Sequence, residues 1–185
     1  MQAPSTYINL VEYLKAEDLS QIRHEYLNGQ VFAMTGGSRE HNLITGNIHN
    51  RLKNYLRGSR CQVFVSDMKV RIETDNVFYY PDVMVTCNPQ DTEKFFLTKP
   101  CLIVEVLSPS TENIDRREKL LTYKKIESLQ EYILVSQEEI KVELYRKDKD
   151  HNWIKYILSK NDVVILDSVN LQLTMTEIYE DVMNV

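Results

Sequence analysis

The segment from Pro100 to Lys119 constrains the fold of this chain more than any other. Residues 101–107 are almost all apolar, and Pro100 and Pro109 flank the run. Such a run predicts a strand that is buried on both faces of a sheet. Glu105 lies in its middle, where an ionised carboxylate is strongly destabilised unless it is paired, bound to a metal or protonated. The sequence therefore demands a partner for Glu105.

The residues after this strand predict a helix over 111–128, with Ser110 or Thr111 as its N-cap. Helical spacing gives it one apolar stripe, formed by Leu120, Tyr123 and Ile126. Lys119 falls inside that stripe, and a lysine that faces the sheet just after a buried glutamate indicates a site. The alternative is a surface pair of Asp115 and Lys119, four residues apart, with the lysine stem along the edge of the core.

Composition sets the broad class. A chain of 185 residues with 43% hydrophobic and 26% charged residues is expected to form one domain, 1–185, with a core of its own. No apolar run reaches the roughly 20 residues that span a bilayer, and the N-terminus lacks the pattern of a signal peptide, so we expect a cytoplasmic protein. The three cysteines predict buried thiols in a reducing cytosol, without the spacing of zinc ligands. A net charge of -5 argues against a protein that coats nucleic acid non-specifically, but permits a local basic face.

Along the chain, the pattern predicts a single α/β domain. Thr6 is predicted to cap a first helix with Leu10, Val11 and Leu14 on its inner face, and Asn28-Gly29 predicts a hairpin within 22–34. Ser38 is predicted to cap a helix to about Arg57, whose inner face holds Ile44, Ile48, Leu52 and Tyr55. The remaining predicted elements are strands 61–73 (with a bulge near Ser66-Asp67), 77–87 and 131–136, a hairpin of 141–146 with 153–158, a strand 163–166 and a helix near Thr176.

The central elements give the order αβββαβ, and two of their strands carry an acid in an apolar setting, Asp82 and Glu105. Two carboxylates on neighbouring buried strands suit a hard divalent cation such as Mg²⁺, which prefers oxygen ligands. The alternative is structural: Asp82 caps a bulge, and Glu105 pairs with Lys119 without chemistry.

At these residues the sequence resembles the PD-(D/E)XK nuclease superfamily. Within it, the chain is most similar to the large bacterial restriction-endonuclease family that is abundant in cyanobacteria. The resemblance covers nearly the whole chain and rests on HEYLNG at 24–29, SDMKV at 66–70, YPDV at 80–83, VEVLSPS at 104–110, Asp115-Arg116, Lys119, Tyr123 and Glu131-Tyr132. It implies a restriction-endonuclease-like fold, with a mixed central sheet flanked by helices, an added N-terminal helix and hairpin, and an added C-terminal hairpin.

The resemblance also implies roles for particular residues. Asp82 and Glu105 would be metal ligands and catalytic acids, with the Val106 backbone carbonyl as a third ligand. The superfamily places a lysine two residues after the second acid, but this chain has Leu107 there. That lysine is implied to have moved to the following helix, as Lys119, where it would position the attacking water.

Two further residues are weaker catalytic candidates. Glu25 resembles an acid near the start of the family, and its alternative is a charge on an edge strand. His41 lies on the apolar face of its helix, where its tunable pKa suits catalysis, although a structural histidine is the alternative. The basic residues that would meet phosphates in a nuclease are Arg51, Lys53, Arg57, Arg60, Arg116, Arg117, Lys124 and Lys125, of which Lys124 and Lys125 are expected to be merely solvated.

These observations predict a cytoplasmic Mg²⁺-dependent endonuclease that acts on DNA, with Mn²⁺ as a substitute metal and a homodimer as the assembly. One alternative is a catalytically inactive module of the same fold that binds nucleic acid or protein. Another is metal-dependent hydrolysis of a different substrate on the same scaffold.

Overall fold

A computed structural model describes residues 7–109 and 111–184 of the chain, so the predicted caps Thr6 and Ser110 lie outside the described residues. The helical segments are α1 (Leu10–Leu19), α2 (Arg39–Tyr55), a 3₁₀ turn (Glu73–Asp75), α3 (Glu112–Ile114), a π-helical turn (Asp115–Lys119), α4 (Leu120–Tyr123) and α5 (Met175–Ile178). The strands are β1 (His24–Leu27), β2 (Gln30–Ala33), β3 (Gln62–Val65), β4 (Lys69–Ile72), β5 (Val77–Tyr79), β6 (Val83–Thr86), β7 (Phe96–Leu97), β8 (Leu102–Leu107), β9 (Glu131–Ser136), β10 (Lys141–Lys147), β11 (Trp153–Ser159), β12 (Val163–Leu166) and β13 (Leu171–Thr174).

The central sheet has six strands in the order β11-β10-β9-β8-β6-β3. Strands β8 and β9 run parallel, and the other neighbouring pairs are antiparallel, so the predicted mixed sheet is confirmed. From α2 onward, the elements of this sheet and its helices follow the predicted order αβββαβ: α2, β3, β6, β8, the helical segment 112–123 and β9. A second sheet, β2-β1-β5-β4-β7, contains the N-terminal hairpin.

Two predicted strands are wrong as single elements. Residues 61–73 divide into β3 and β4, and residues 77–87 divide into β5 and β6, so each half-strand joins a different sheet. The chain bends at Ser66, where φ is 46°, and the Ser66 N–H donates to the Asp82 carbonyl oxygen at 3.1 Å. Strands commonly pass between packed sheets at such bends. The bend replaces the predicted bulge and places Asp82 where the two sheets diverge.

Helices pack on both faces of strand β8, and the side chains of the strand alternate between the two faces. Val104 and Val106 share a core with the apolar side of α2, whereas Ile103 and Leu107 share another with Tyr123 of α4. The predicted start of α2 is confirmed, since Ser38 accepts a hydrogen bond from the N–H three residues later. By alternation, Glu105 lies on the α4 face.

The segment predicted as one helix over 111–128 is interrupted by a π-helical turn. It consists of α3, the π turn and α4, and its regular part ends at Tyr123. A π turn closes hydrogen bonds five residues apart and so shifts the phase of the side chains. Asp115 and Lys119 lie on the buried face of this turn, where they are only 2% and 6% exposed. The predicted alternative of a surface pair is wrong: the two residues do pair, but in the interior.

Two of the three cysteines contradict the prediction of free thiols. Cys61 and Cys87 form a disulfide, whereas Cys101 is free and buried as predicted. The cause is strand pairing: Gln62 lies opposite Thr86 in β3 and β6, and the cysteines are the next residues outward. A separation of 26 residues in the sequence gave no sign of this proximity. The cysteines therefore no longer support a reducing compartment.

The ends of the chain follow the prediction with small shifts. The N-terminal hairpin turns at Asn28-Gly29, where both φ angles are positive, as a tight turn of this kind requires. Helix α1 is capped by Asn9, and Val11, predicted to face inward, is exposed while Tyr13 is buried. Tyr55, predicted on the inner face of α2, is half-exposed.

The predicted C-terminal hairpin is confirmed by the pairing of β10 with β11, and α5 begins after its cap Thr174. Among residues 7–109 and 111–184, no helix is both long and apolar enough to cross a membrane.

Candidate active site

The two predicted acids lie side by side at the junction of the sheets. Asp82 precedes β6, and Glu105 lies on β8, the neighbouring antiparallel strand. The Asp82 N–H donates to Glu105 Oε2 at 3.3 Å, and the Val106 N–H donates to Asp82 Oδ2 at 2.7 Å. Each acid is thus held by the backbone of the other strand, which fixes the separation of the two carboxylates.

Lys119 reaches this junction from the helical segment, as its position in the apolar stripe predicts. Its Nζ lies 3.1 Å from Glu25 Oε1, 3.2 Å from Glu105 Oε1 and 3.2 Å from Asp115 Oδ1. Burial by itself would lower the pKa of Lys119, but the surrounding carboxylates outweigh it and raise the pKa well above its usual value. Lys119 is therefore a fixed, fully charged ammonium group.

For Glu105, unlike Lys119, burial and the neighbouring acids favour the neutral form. Burial raises its pKa well above the usual value; Lys119 acts against this rise, while Asp115, Asp82 and Glu25 add to it. The Tyr123 hydroxyl donates to Glu105 Oε1 at 2.8 Å and shares that oxygen with Lys119. We call Glu25, Asp82, Glu105 and Asp115 the carboxylate cluster. Its four acids outnumber the two basic side chains that contact them, Lys119 and His41.

His41 also reaches this cluster, from the first turn of α2. Its Nε2 lies 3.2 Å from Asp82 Oδ2. Burial opposes the imidazolium form, but the hydrogen bond and charge of Asp82, with a further hydrogen bond to the Val106 backbone, raise the pKa of His41. Gly37 makes room for the ring, because a Cβ built there would lie 2.9 Å from His41 Nδ1.

Glu25 and Asp115 complete the cluster. Strand β1 lies between β2 and β5, so the alternative of an edge-strand charge for Glu25 is wrong. Asp115 was overlooked as a site residue, although it lies four residues from Lys119 and the two side chains share the buried face of the π turn. The Tyr132 hydroxyl supports that turn by donating to the Asp115 carbonyl oxygen at 3.1 Å. Asp115 had two signals in the sequence: its spacing of four residues from Lys119, and its place among the residues that carry the family resemblance.

His41, Asp82, Glu105, Asp115 and Lys119 line a cavity of about 240 Å³, here called the site cavity. Within the described residues, no three His, Cys, Asp or Glu side chains are arranged to enclose a metal ion by themselves. Mg²⁺ does not need such a cage, since it keeps several waters and takes one or two carboxylates plus substrate phosphate. The donors here are oxygens with excess negative charge, and buried Asp115 Oδ1 is held by its ion pair with Lys119 at 3.2 Å without a hydrogen bond of regular geometry. The residues present fit a hydrated Mg²⁺ or Mn²⁺ ion.

Comparison with known proteins places the chain among its relatives. A family model named Uma2 and described as "Putative restriction endonuclease" matches residues 10–176. The chain belongs to the Uma2 family. This confirms the resemblance found in the sequence, and Uma2 membership supports a nuclease-type function in general terms.

Individual relatives agree with this assignment. An uncharacterized protein of Synechocystis sp. is 39% identical over 178 residues, which span 96% of this Uma2 chain and 94% of the relative. A second uncharacterized Synechocystis protein is 34% identical over 155 residues, 82% of this chain and 88% of the relative. A crystal structure from Anabaena variabilis, described as "a putative nuclease belonging to DUF820", matches with a TM-score of 0.78 at 18% identity, covering 95% of this chain and 99% of that one. The fold is therefore restriction-endonuclease-like, as predicted.

Proposed function

We propose that this Uma2 protein is a metal-dependent endonuclease that hydrolyses phosphodiester bonds of DNA. The observation that carries the proposal is the position of Lys119, whose ammonium group lies within 3.2 Å of three carboxylates and lines the same cavity as Asp82. A structural ion pair needs one acid for one lysine. The surplus of acids favours a second cation, and the family membership supports phosphodiester chemistry.

In this proposal Asp82, Glu105 and the Val106 carbonyl hold Mg²⁺, with Mn²⁺ as a substitute. When bound, the metal supplies Lewis acidity and an activated water. Lys119 offsets the negative charge that develops on the phosphate and positions the attacking water, because its ammonium group is held rigidly by Glu25 and Asp115. Tyr123 fixes the orientation of Glu105.

His41 is proposed to orient Asp82 through its contact with Oδ2, rather than to act on the substrate directly. The position of His41 supports its predicted involvement in the site, but as a residue that orients Asp82. Glu25 likewise acts through Lys119, since its Oε1 lies 3.1 Å from Nζ.

The proposal is tested by incubating supercoiled plasmid with the protein in Mg²⁺ or Mn²⁺. The wild-type protein should nick or linearise the plasmid, and Asp82→Ala should not. A matched control is Asp67→Ala, since Asp67 is an exposed acid paired with Arg23. Equal cleavage by both variants would exclude Asp82 from the site.

The second candidate function is an inactive module of the same fold that binds nucleic acid or protein. Two observations favour it: Leu107 stands where the superfamily usually has its lysine, and the net charge is -5. Binding of DNA without any metal-dependent cleavage, in the same plasmid assay, would support the module over the enzyme.

We also propose a two-fold dimer, because one site per chain cuts only one strand of a duplex at a time. Light scattering at micromolar concentration should give about twice the mass of 21.8 kDa. A monomer that nevertheless makes double-strand breaks would contradict this assembly. Action on DNA in the cytoplasm remains part of the same proposal.

A further inference from the structure

A second cavity adjoins the site cavity and differs from it in chemistry. It has a volume of about 380 Å³ and is lined largely by apolar side chains of the N-terminal hairpin and α3. Met34, Thr35, Thr111 and Lys119 line both cavities and so form the wall between them. We call this second space the apolar cavity. It opens directly beside the ammonium group of the candidate active site.

The apolar cavity presents large hydrophobic side chains at the surface. Phe32 is 48% exposed and Ile114 is 44% exposed, and both line this cavity. Phe32 lies opposite Glu25 in the pairing of β1 with β2, so its ring and the carboxylate that holds Lys119 share one face of the sheet. Exposed apolar side chains that converge beside a polar reaction centre are typical of a ligand pocket.

The charges around the chain limit how nucleic acid can be held. Arg51 is paired with Glu177 and Glu180. Arg116 is paired with Glu112 and Glu143, and Lys125 with Asp75. Arg51 and Arg116 were predicted to meet phosphates and Lys125 was expected to be solvated, but each of the three is paired with an acid of the chain.

Phosphate contacts supply most of the affinity for an intact duplex. With these three cations occupied and a net charge of -5, phosphate contacts supply less of the affinity, so we expect other contacts to contribute more. Stacking of a base on an aromatic ring is such a contact, since it is sequence-tolerant and needs no positive charge. It requires a base that is not stacked within a duplex.

We propose that the apolar cavity binds a nucleobase of single-stranded or locally unpaired DNA, stacked on Phe32, while the adjoining phosphate enters the site cavity. The base edge meets polar groups at the rim, where Thr35, Thr111 and Glu118 line the cavity. This inference rests on the proposed function and names its substrate class: a strand with an unstacked base, rather than an uninterrupted duplex.

The test is binding of fluorescein-labelled 12-nucleotide probes, measured by anisotropy. The three probes are a single strand, its perfect duplex, and the single strand with abasic sites. Ca²⁺ replaces Mg²⁺, and gel electrophoresis verifies that each probe stays intact. The single strand should bind more tightly than the duplex, and its affinity should depend weakly on salt, since few phosphates are neutralised.

Phe32→Ala should weaken binding of the single strand by roughly 5- to 150-fold, the range that loss of one stacked base gives. It should leave the already weaker abasic strand unchanged. Phe95→Ala is the matched control, because Phe95 is 51% exposed and lines neither the site cavity nor the apolar cavity. Ile114→Ser, on the opposite wall, should also weaken the single strand, so the conclusion does not depend on one variant folding correctly.

Tighter binding of the duplex, equal loss in Phe32→Ala and Phe95→Ala, or no binding of any probe would overturn the inference. A change of oligomeric state in Phe32→Ala, without a change in DNA affinity, would show that a second copy of the chain covers the cavity instead. Hydrolysis is assayed separately in Mg²⁺. Phe32-dependent binding without hydrolysis would refute the proposed function alone, whereas hydrolysis that is indifferent to Phe32 would refute this inference alone.

Discussion

Two buried glutamates of the central sheet, Glu105 on β8 and Glu131 on β9, differ in how their charges are balanced. Glu131 is fully buried and receives hydrogen bonds from Arg146, from the Asp167 N–H and from the Ser168 N–H and hydroxyl. These donors tie the loop between β12 and β13 to the sheet.

Glu105 is almost as buried, at 3% exposed, but it shares one lysine with two other acids and lies beside a fourth. A buried carboxylate is therefore not by itself the mark of a site. What distinguishes the two is the surplus of negative charge around Glu105, which leaves a place for a cation.

The comparison is tested most severely by neutralising the acids of the proposed metal site. Asp82→Asn and Glu105→Gln should each abolish binding of Mg²⁺ and Mn²⁺, as measured by calorimetric titration. The fold should survive, and stability should rise by up to about 1 kcal/mol because the mutual repulsion of the carboxylates is relieved. Unchanged metal binding in both variants would remove these acids from the site.

The next largest effect is expected for Lys119→Met. Turnover at saturating metal should fall by about 10²–10³-fold, the usual loss when one preorganised positive group is removed from a transition state. Metal affinity should change far less, because lysine is not a ligand. The affinity is measured calorimetrically and the turnover by plasmid cleavage per folded molecule. An equal loss of metal affinity and turnover would contradict the role given to Lys119.

Glu131→Gln should show the reverse pattern. Replacing one partner of a buried, fully bonded ion pair destabilises a protein by about 3–5 kcal/mol, or roughly 6–20 °C in the unfolding temperature for a chain of this size. Cleavage per folded molecule should remain normal, because Glu131 is tied to Arg146 and the 167–168 loop rather than to the carboxylate cluster. Thermal unfolding followed by circular dichroism measures the first effect. Loss of cleavage in fully folded Glu131→Gln would break the distinction between the two glutamates.

The smallest expected effect concerns Tyr132, which supports the π turn. Tyr132→Phe leaves the Asp115 carbonyl without its donor and should reduce stability by about 1–3 kcal/mol. Turnover should fall as well, since a relaxed turn would move Lys119. Tyr179→Phe is the control: its hydroxyl accepts from the Lys141 N–H and can donate to the Ser136 carbonyl oxygen, away from the cluster. It should lower stability similarly and spare turnover.

Much of the fold followed from the sequence because its signals were local. The apolar run 101–107 determined a buried strand, and Asn28-Gly29 determined a hairpin. The stripe containing Lys119 predicted its approach to Glu105, and the Nζ–Oε1 distance of 3.2 Å agrees with that expectation. The chemical roles of Lys119 and Glu105, however, remain predictions.

What only the tertiary structure decided depended on contacts between distant segments. The bulge predicted near Ser66-Asp67 marked where strand 61–73 bends, but only packing of the sheets decides that the halves of 61–73 and of 77–87 join different sheets. Cys61 meets Cys87 through the register of β3 with β6, and the Asp115 carbonyl in the π turn accepts a hydrogen bond from Tyr132 of β9. Local pattern specifies which face of an element is apolar, but the balance of charge at a buried point is a sum over side chains from several elements. The surplus of acids around Lys119 could therefore be seen only once β1, β6, β8 and the π turn had been brought together.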